Sequence, residues 1–531
     1  MAKAKFISYE ATNSFSDIVI DYISNVPGIR PFFSDLPDVD GIRSAIEKRL
    51  KFKTDRQLLV TGLEKQYVTT DAIPQVSANL ELLLNERTFT ITTAHQPNIF
   101  TGPLYFIYKI LHAISVADHL NREIAEYNFV PMFYMGSEDA DIDELGITRI
   151  DGKEYRWITR QKGAVGRMLV DDALLQLINE MQGQLGVLPH GNEILHHLRN
   201  CYSKGKTIEQ ATFEFIHLLF GKYGLVVLLP DNPGFKSVFL SIAEKELNEG
   251  FSFEMTSGAI NELSKNYKVQ AKGREINLFY LEGDSRQRIV KTGPQFLLQE
   301  SGTELSQGEL LSRFNSHPDR VSPNVILRPL FQAMLLPDVV FVGGGGEIAY
   351  WLELKAMFEK AGVPYPVLAL RNSFLLLNNR NTERLEKLHL EVEQLFMDEE
   401  KLFREIVVDT SENMLSLDNV ITDVKNSYSE ALRLAKAVDP TLSGHVESLE
   451  KRAVDGLKKL EKKILRAEKR KFEDERRQLH EVRSSLFPGG GLQERSESIL
   501  GWYARYGASI LEILYSNSKA LEHKFGIISL D

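Results

Sequence analysis

Through roughly the first 370 residues, short apolar runs bounded by turn residues alternate with stretches whose apolar positions recur at helical spacing. That alternation predicts an α/β core built on a parallel sheet. The first 85 residues are expected to be mainly helical, interrupted at Val26-Pro27-Gly28 and around Pro37. A strand, Phe89–Ala94, then runs into the loop His95-Gln-Pro-Asn-Ile-Phe-Thr-Gly102. A helix is expected from Pro103 to about Leu120. Proline suits a first helical position, where its missing N–H would be unbonded anyway, and Thr101 is placed to cap it. The next strand, Phe129–Met135, ends in Gly136-Ser-Glu-Asp-Ala-Asp141. Strand, loop, helix and strand in so short a span make a βαβ unit, hence a parallel pair with a right-handed crossover.

Residues 147–205 mix short strand and helix patterns and read as an insertion. A helix near 207–222 leads to the strand Leu225–Leu229, and Phe279–Glu282 with Arg288–Val290 predict a hairpin around Gly283-Asp284. Regularity then returns, with a helix from Pro329 and the strand Val339–Val342. Four glycines, Gly343 to Gly346, open a helix Glu347–Ala361, and a last strand follows at Val367–Leu370. Two such βα repeats are what a doubly wound sheet requires.

Beyond Asn378 the pattern changes. Leu385, Leu388, Val392 and Leu395 recur at 3-4-3 spacing, as do Leu417, Ile421, Val424, Tyr428 and Leu432, then Val446, Leu449, Ala453, Leu460 and Ile464. Charges of both signs fill the gaps, the signature of helices paired along a seam. Pro440, Ser443 and Gly444 mark a turn that folds two long helices back on each other, with a stutter expected near Gly456. The expected organisation is a Rossmann-like core over 1–378, a coiled-coil arm over 379–487, and a final helix near 494–522, within 488–531, that returns to the core.

Composition narrows the function. A chain of 531 residues exceeds one compact core. Its net charge of -10 repels phosphate backbones, so nucleic acid is not expected as a partner. The single cysteine, Cys201, excludes an internal disulfide and a cysteine-rich zinc site, and is expected to be inert. No signal-type or membrane-spanning run of about 18 apolar residues is visible, and a cytoplasmic protein is expected.

Three segments can carry chemistry. His95 and Asn98 sit between a strand and a helix start, where free amides favour an anion such as phosphate. Ser137, Glu138, Asp139 and Asp141 crowd the carboxyl end of a strand, where open α/β sheets bind ligands; they can hold Mg²⁺ beside phosphates, accept a proton or pair with an ammonium. Gly343, Gly344, Gly345 and Gly346 let backbone approach a ligand, but Glu347 puts a negative charge where a pyrophosphate would lie. A polar substrate therefore fits this turn better than a dinucleotide. Arg328 and Arg371 can each clamp a carboxylate. Each feature also has a purely structural explanation: a capped turn, a solvated helix start, an ion pair.

Taken together, Thr101-Gly-Pro-Leu-Tyr-Phe-Ile-Tyr-Lys109, Gly136 through Glu144, Leu327-Arg-Pro-Leu-Phe-Gln332 and Gly343 through Lys355 resemble the cysteine-adding enzymes of bacillithiol biosynthesis, the BshC family. Leu486-Phe-Pro and Leu492-Gln-Glu-Arg495 extend the resemblance toward the C-terminus. It implies a Rossmann-like core, a coiled coil that mediates a homodimer, and ligation of cysteine to glucosaminyl-malate. It also implies kinship with class I aminoacyl-tRNA synthetase-like folds, whose His-x-Gly-His corresponds here to His95-Gln-Pro-Asn98. Forming an amide in water needs activation, so ATP, with Mg²⁺, is the expected cosubstrate. Cysteine would be activated near His95 and Asn98, and Glu138, Asp139 or Asp141 would handle the amine. The resemblance extends substrate contact to Thr101, Gly102, Tyr105, Lys109, Ser137, Arg328, Tyr350 and Arg371, besides the tetraglycine turn and Glu347. A nucleotidyl- or glycosyl-transferase on the same fold, or an inactive coiled-coil scaffold, are the alternatives.

Overall fold

The computed structural model describes residues 3–269 and 273–530. Two compact units emerge, one drawn from Met1–Leu376 and Gly491–Ile528, the other from Leu377–Gly490 and Ser529–Asp531. At the heart of the first lie five strands: β1 (Thr88–His95), β2 (Asn128–Met135), β3 (Val226–Leu228), β4 (Asp338–Gly343) and β5 (Val367–Leu370). Their order is β3-β2-β1-β4-β5 and every neighbouring pair is parallel, so the doubly wound sheet is confirmed. These strands read as runs of apolar and β-branched residues, Thr88, Thr90, Thr92 and Thr93 of β1 being buried among them, because both faces of the sheet are covered. Helix α1 (Leu104–Glu123) packs on β1 and β2, its Ala113, Val116, Ala117 and Leu120 sharing a core with Phe89, Ile91, Val340 and Val367.

The chain winds outward from β1 through β2 to β3, then crosses back to lay β4 and β5 on the other side. The carboxyl ends of β1 and β4 thus flank a topological switch point, where such sheets leave a crevice. Register fixes the third wall: His95 pairs with Met135, which brings Gly136 to the same edge.

Several local expectations are corrected. The first 85 residues are mainly helical as expected, but strands Lys3–Ile7 and Ser373–Asn378 flank Phe525–Leu530 in a small sheet, so Val367–Leu370 is not the last strand. Those pairings join opposite ends of the sequence, which local patterning does not register. The expected helix Glu347–Ala361 is two, α3 at Gly345–Trp351 and a second at Lys355–Ala361. Leu352 and Leu354 are both fully buried, yet a straight helix would place them roughly 160° apart. The closing helix is also divided, into Ile499–Tyr506 and Ser509–Ser516, at Gly507. There φ is +62°, and a Cβ would lie 2.8 Å from the His190 ring. Pro103 stands one position before α1, and Thr101 does not cap it; at φ +70° it ends a 3-10 turn with its hydroxyl buried and unpartnered.

In the second unit two long helices, α4 (Asp418–Val438) and α5 (Ser443–Lys469), fold back on one another through Pro440–Leu442. α5 is continuous past Gly456; its most buried apolar residue is Val454, Ala453 beside it is half-buried, and Leu449 and Leu460 are exposed. The seam runs along the positions the heptad pattern marks, with Leu417, Ile421, Val424, Tyr428, Leu432, Val446, Ala453 and Ile464 partly or fully covered and Leu449 and Leu460 turned outward. Among the described residues no helix is long and apolar enough to cross a membrane.

Candidate active site

A cleft of about 950 Å³ opens at the carboxyl edge of β1, β2 and β4. The histidine loop, the acid cluster and the tetraglycine turn all reach it, through His95 and Gln96, through Gly136 to Asp139, and through Gly344 to Glu347. Tyr105 and Lys109 enter from α1, Tyr350 from α3, Arg328 from the start of α2 (Arg328–Leu335), and Arg371 from the end of β5.

His95 is half-buried, with its ring Nδ1 3.2 Å from the Gln96 carbonyl. A carbonyl only accepts, so Nδ1 carries the hydrogen and Nε2 keeps its lone pair. Burial, reinforced by the Lys109 ammonium, holds the imidazole pKa well below the usual histidine range, so the ring is neutral at pH 7. Gln96 in turn donates to Asp139 Oδ2 at 3.1 Å, fixing that carboxylate at the cleft wall.

Lys109 is only 3% exposed, and a buried ammonium requires partners. It donates to the Ala94 carbonyl at 2.9 Å and pairs with Glu347. Glu347 also accepts from the Gly344 N–H at 2.9 Å, which closes the first turn of α3 with its own side chain. The carboxylate that makes this turn a poor pyrophosphate site therefore has a structural task as well. A Cβ at Gly344 would sit 3.3 Å from Arg371 Nε, so a side chain there would press on that guanidinium.

Arg371 is not a free clamp. Its guanidinium forms a bidentate pair with Glu494, at 2.7 and 3.0 Å, with both side chains buried. Arg328 differs: it donates to Gln332 and Tyr350 at 3.0 Å and lies over the Tyr134 ring, but no carboxylate comes within ion-pair range among the described residues.

Glu138 is paired with Lys236, which also donates to Asp231 at 2.8 Å; Arg167 completes the group, 2.6 Å from Asp231. Despite burial, Lys236 and Arg167 hold the Asp231 carboxyl down at about 2. Ser137 lines the cleft in front of this cluster and faces Glu209, whose pKa burial and the nearby Asp231 push up to about 8. Glu209 is thus protonated in the native state below that pH. Its contribution to stability is complete below its ordinary pKa of 4.5 and is lost as pH rises through about 8. Glu209→Gln, which cannot ionise, is expected to lack that loss. Urea midpoints at about pH 6 and pH 9 check this: the variant should gain on the wild type at the higher pH, and a constant difference would refute the assignment.

Not every expected residue reaches the cleft. Asp141 is exposed and caps the short helix Ile142–Leu145, accepting from the Glu144 N–H. Gly343 ends β4, its carbonyl bonded to the Arg371 N–H. Thr101 is fully buried, and Asn98 and Gly102 lie behind the cleft wall. Gly102, at φ +58° and ψ -139°, has no room for a side chain, since a Cβ would meet Asn98 Cβ at 2.7 Å. Gly102→Ala is expected to destabilise the protein by about 1–3 kcal/mol, read from urea unfolding; a change under about 0.5 kcal/mol would contradict this packing. Cys201 is buried and its thiol pushed up to about 12 by burial, which suits an inert side chain.

Arg286, Glu144 and Arg495 also line the cleft; Glu144 was visible in sequence as the end of the acidic motif, and Arg286 was missed. Arg286 stacks over Phe279 at 3.8 Å and donates to Ser322, and opposite it stand Glu138 and Asp139. It lies on a hairpin strand, where an exposed-looking arginine gives no signal. Arg495 was visible only as part of a C-terminal motif. For a protein-built Mg²⁺ site the residues do not fit: among the described residues no three His, Cys, Asp or Glu side chains converge to hold a metal, and Glu138 is already paired.

A doubly wound core with its polar cleft at the switch point, followed by a folded-back helical arm, defines a Rossmann-like α/β protein carrying a coiled-coil domain. Residues 2–372 match the family described as the N-terminal Rossmann-like domain of bacillithiol biosynthesis BshC, and residues 374–530 match its C-terminal coiled-coil domain. The chain belongs to the BshC family. A relative provisionally named cysteine ligase BshC in Flavobacterium johnsoniae is 34% identical over 99% of both chains. Those of Flavobacterium psychrophilum and Cytophaga hutchinsonii, with the same name, are 35% and 34% identical over 98% and 96% of both chains. A solved structure titled as a provisional arginyl-tRNA synthetase from Campylobacter jejuni aligns over 83% of this chain and 98% of its own, at 8% identity and a TM-score of 0.23, values that carry no argument.

Proposed function

We propose that this protein, acting in the cytoplasm, joins the carboxyl of cysteine to the amine of glucosaminyl-malate, with ATP as activator. The observation that carries this reading, beside the family, is the convergence of a neutral histidine, a fixed carboxylate and a carboxylate-free arginine on one cleft. The full-length relatives named as cysteine ligases support the choice of cysteine.

The chemistry balances as two steps. The cysteine carboxylate displaces pyrophosphate from ATP to give an acyl-adenylate. The sugar amine then attacks that carbonyl, forming the amide as AMP leaves and a proton is lost. Asp139, held by Gln96, orients the amine, and the free Nε2 of His95 accepts its proton as the tetrahedral adduct forms. Arg328 and Arg286 bind the malate carboxylates. Mg²⁺ enters with the ATP phosphates, and no step is routed through a protein-held ion.

Pure protein incubated with cysteine, ATP and glucosaminyl-malate is expected to yield the ligated thiol by mass spectrometry, with one AMP per product. No product across a range of Mg²⁺ concentrations would overturn the ATP-dependent reading. Deletion of the gene should make the amine precursor accumulate. The arm is assigned to homodimer formation, which the exposed Leu434, Leu449 and Leu460 support. Light scattering on the full chain is expected to give twice the chain mass, and a monomer at micromolar concentration would refute it.

A further inference from the structure

The segment Leu327-Arg-Pro-Leu-Phe-Gln332 opens α2 and sets two polar side chains four residues apart, on one face of the helix. Arg328 lines the cleft, whereas Gln332 is fully buried behind it. Beyond Gln332 stands Asp338, the first residue of β4 and only 1% exposed. The three side chains form a hydrogen-bonded chain. Arg328 donates to Gln332 Oε1 at 3.0 Å, and Gln332 Nε2 donates to Asp338 Oδ2 at 2.8 Å.

The direction of each bond is forced. A guanidinium only donates, so Gln332 must turn its carbonyl oxygen towards Arg328. Its NH2 group then points the other way and needs an acceptor inside the protein, because a buried donor left unpaired is costly. Asp338 supplies that acceptor. Burial pushes the Asp338 carboxyl up to about 7, but with a proton on Oδ1 the other oxygen still accepts. The Thr90 and Thr92 hydroxyls of β1 and the Arg49 guanidinium stand around the same carboxyl, which is thereby held in its turn. At the cleft end Arg328 donates to the Tyr350 hydroxyl at 3.0 Å and lies 5.4 Å from the centre of the Tyr134 ring. Those two contacts alone would let the guanidinium turn; the Gln332 carbonyl adds the third point that sets its plane. Apolar side chains at 332 and 338 would pack without the cost of burying an amide and a carboxyl. Support of this kind is what a ligand-binding side chain needs to meet its ligand in one geometry.

We propose that Gln332 and Asp338 are positioning residues for the anion site at Arg328: Asp338 fixes the direction of the Gln332 amide, and the amide fixes the plane in which the Arg328 fork meets a carboxylate of the ligand. The proposal deepens the reading of Arg328 as the partner of a malate carboxylate and rests on that reading.

Titration calorimetry on the full-length protein tests it with two probes, glucosaminyl-malate and L-malate, which carries the carboxylates without the sugar amine. Gln332→Met, similar in volume, is expected to weaken both about tenfold, and Asp338→Leu about fivefold. Asp338→Asn keeps an acceptor for the amide and should stay within about twofold of wild type. Urea midpoints identify any variant that fails to fold. The decisive measurement is made in the Arg328→Met background, where Gln332→Met should cost less than about twofold further, because residues that act only through Arg328 have nothing left to orient. Losses that multiply onto that of Arg328→Met would show damage to packing and overturn the proposal. So would single variants that all bind like wild type, or an Asp338→Asn loss equal to that of Asp338→Leu. In those cases product in the ligation assay leaves the proposed function standing. The expected pattern without any product would remove the proposed ligation and keep the positioning roles, while wild type that binds neither probe would overturn both.

Discussion

Glu494→Ala is expected to lower stability by about 3–5 kcal/mol, the largest single effect in this molecule. The substitution leaves the Arg371 guanidinium, largely buried at the floor of the cleft, with two of its N–H groups stripped of their acceptor. What remains for it is the Asn372 carbonyl and the Ser373 hydroxyl, neither charged. Most of the cost is this uncompensated charge rather than the lost attraction, which gives a second expectation. Arg371→Met combined with Glu494→Leu removes both charges at similar volume and should recover much of the loss. All three tryptophans, Trp157, Trp351 and Trp502, lie in the unit that contains the pair, so urea unfolding followed by fluorescence reports on it. A single variant within 1 kcal/mol of wild type would show that the pair is not buried in solution.

Arg328→Met should act on binding rather than folding. The arginine is fixed by Gln332 and Tyr350 and meets no carboxylate in ion-pair range among the described residues, so it is prepared for an anionic ligand. A charge-assisted hydrogen bond contributes about 1.5–3 kcal/mol, and a two-bond fork on a malate carboxylate lies at the upper end. Glucosaminyl-malate affinity is therefore expected to fall roughly 30- to 150-fold, at about tenfold per 1.4 kcal/mol. Arg328→Lys keeps the charge but not the planar fork and should fall between. Calorimetry decides this, with the urea midpoint as control. An affinity unchanged within twofold would place the malate elsewhere in the cleft.

How much of this was legible beforehand depended on whether the controlling interactions were local. The five core strands announce themselves as short runs of apolar and β-branched residues, which a sheet covered on both faces requires, and the loops at their carboxyl ends follow from that. Hence His95, Glu138 and Glu347 were placed at the cleft. Asp141 reads like Glu138 and Asp139 in sequence, yet the chain turns into a helix there and the side chain is used as its cap. Arg286, Lys236 and Glu494 belong to elements far from the sheet edge in sequence, and only tertiary packing sets them against it. The split at Leu352–Leu354 is likewise a demand of burial that helical spacing conceals. Pairing of the arm's helices was readable from the heptads, but not which leucines stay outside.

Glu494 follows Arg371 by 123 positions, with the whole helical arm between them. On a ribosome adding about 5–20 residues each second, the arginine waits roughly 6–25 s for its counter-charge. Until then the arginine at the floor of the cleft lacks its partner carboxylate. Completion of the pair is thereby tied to synthesis of the segment that follows the arm.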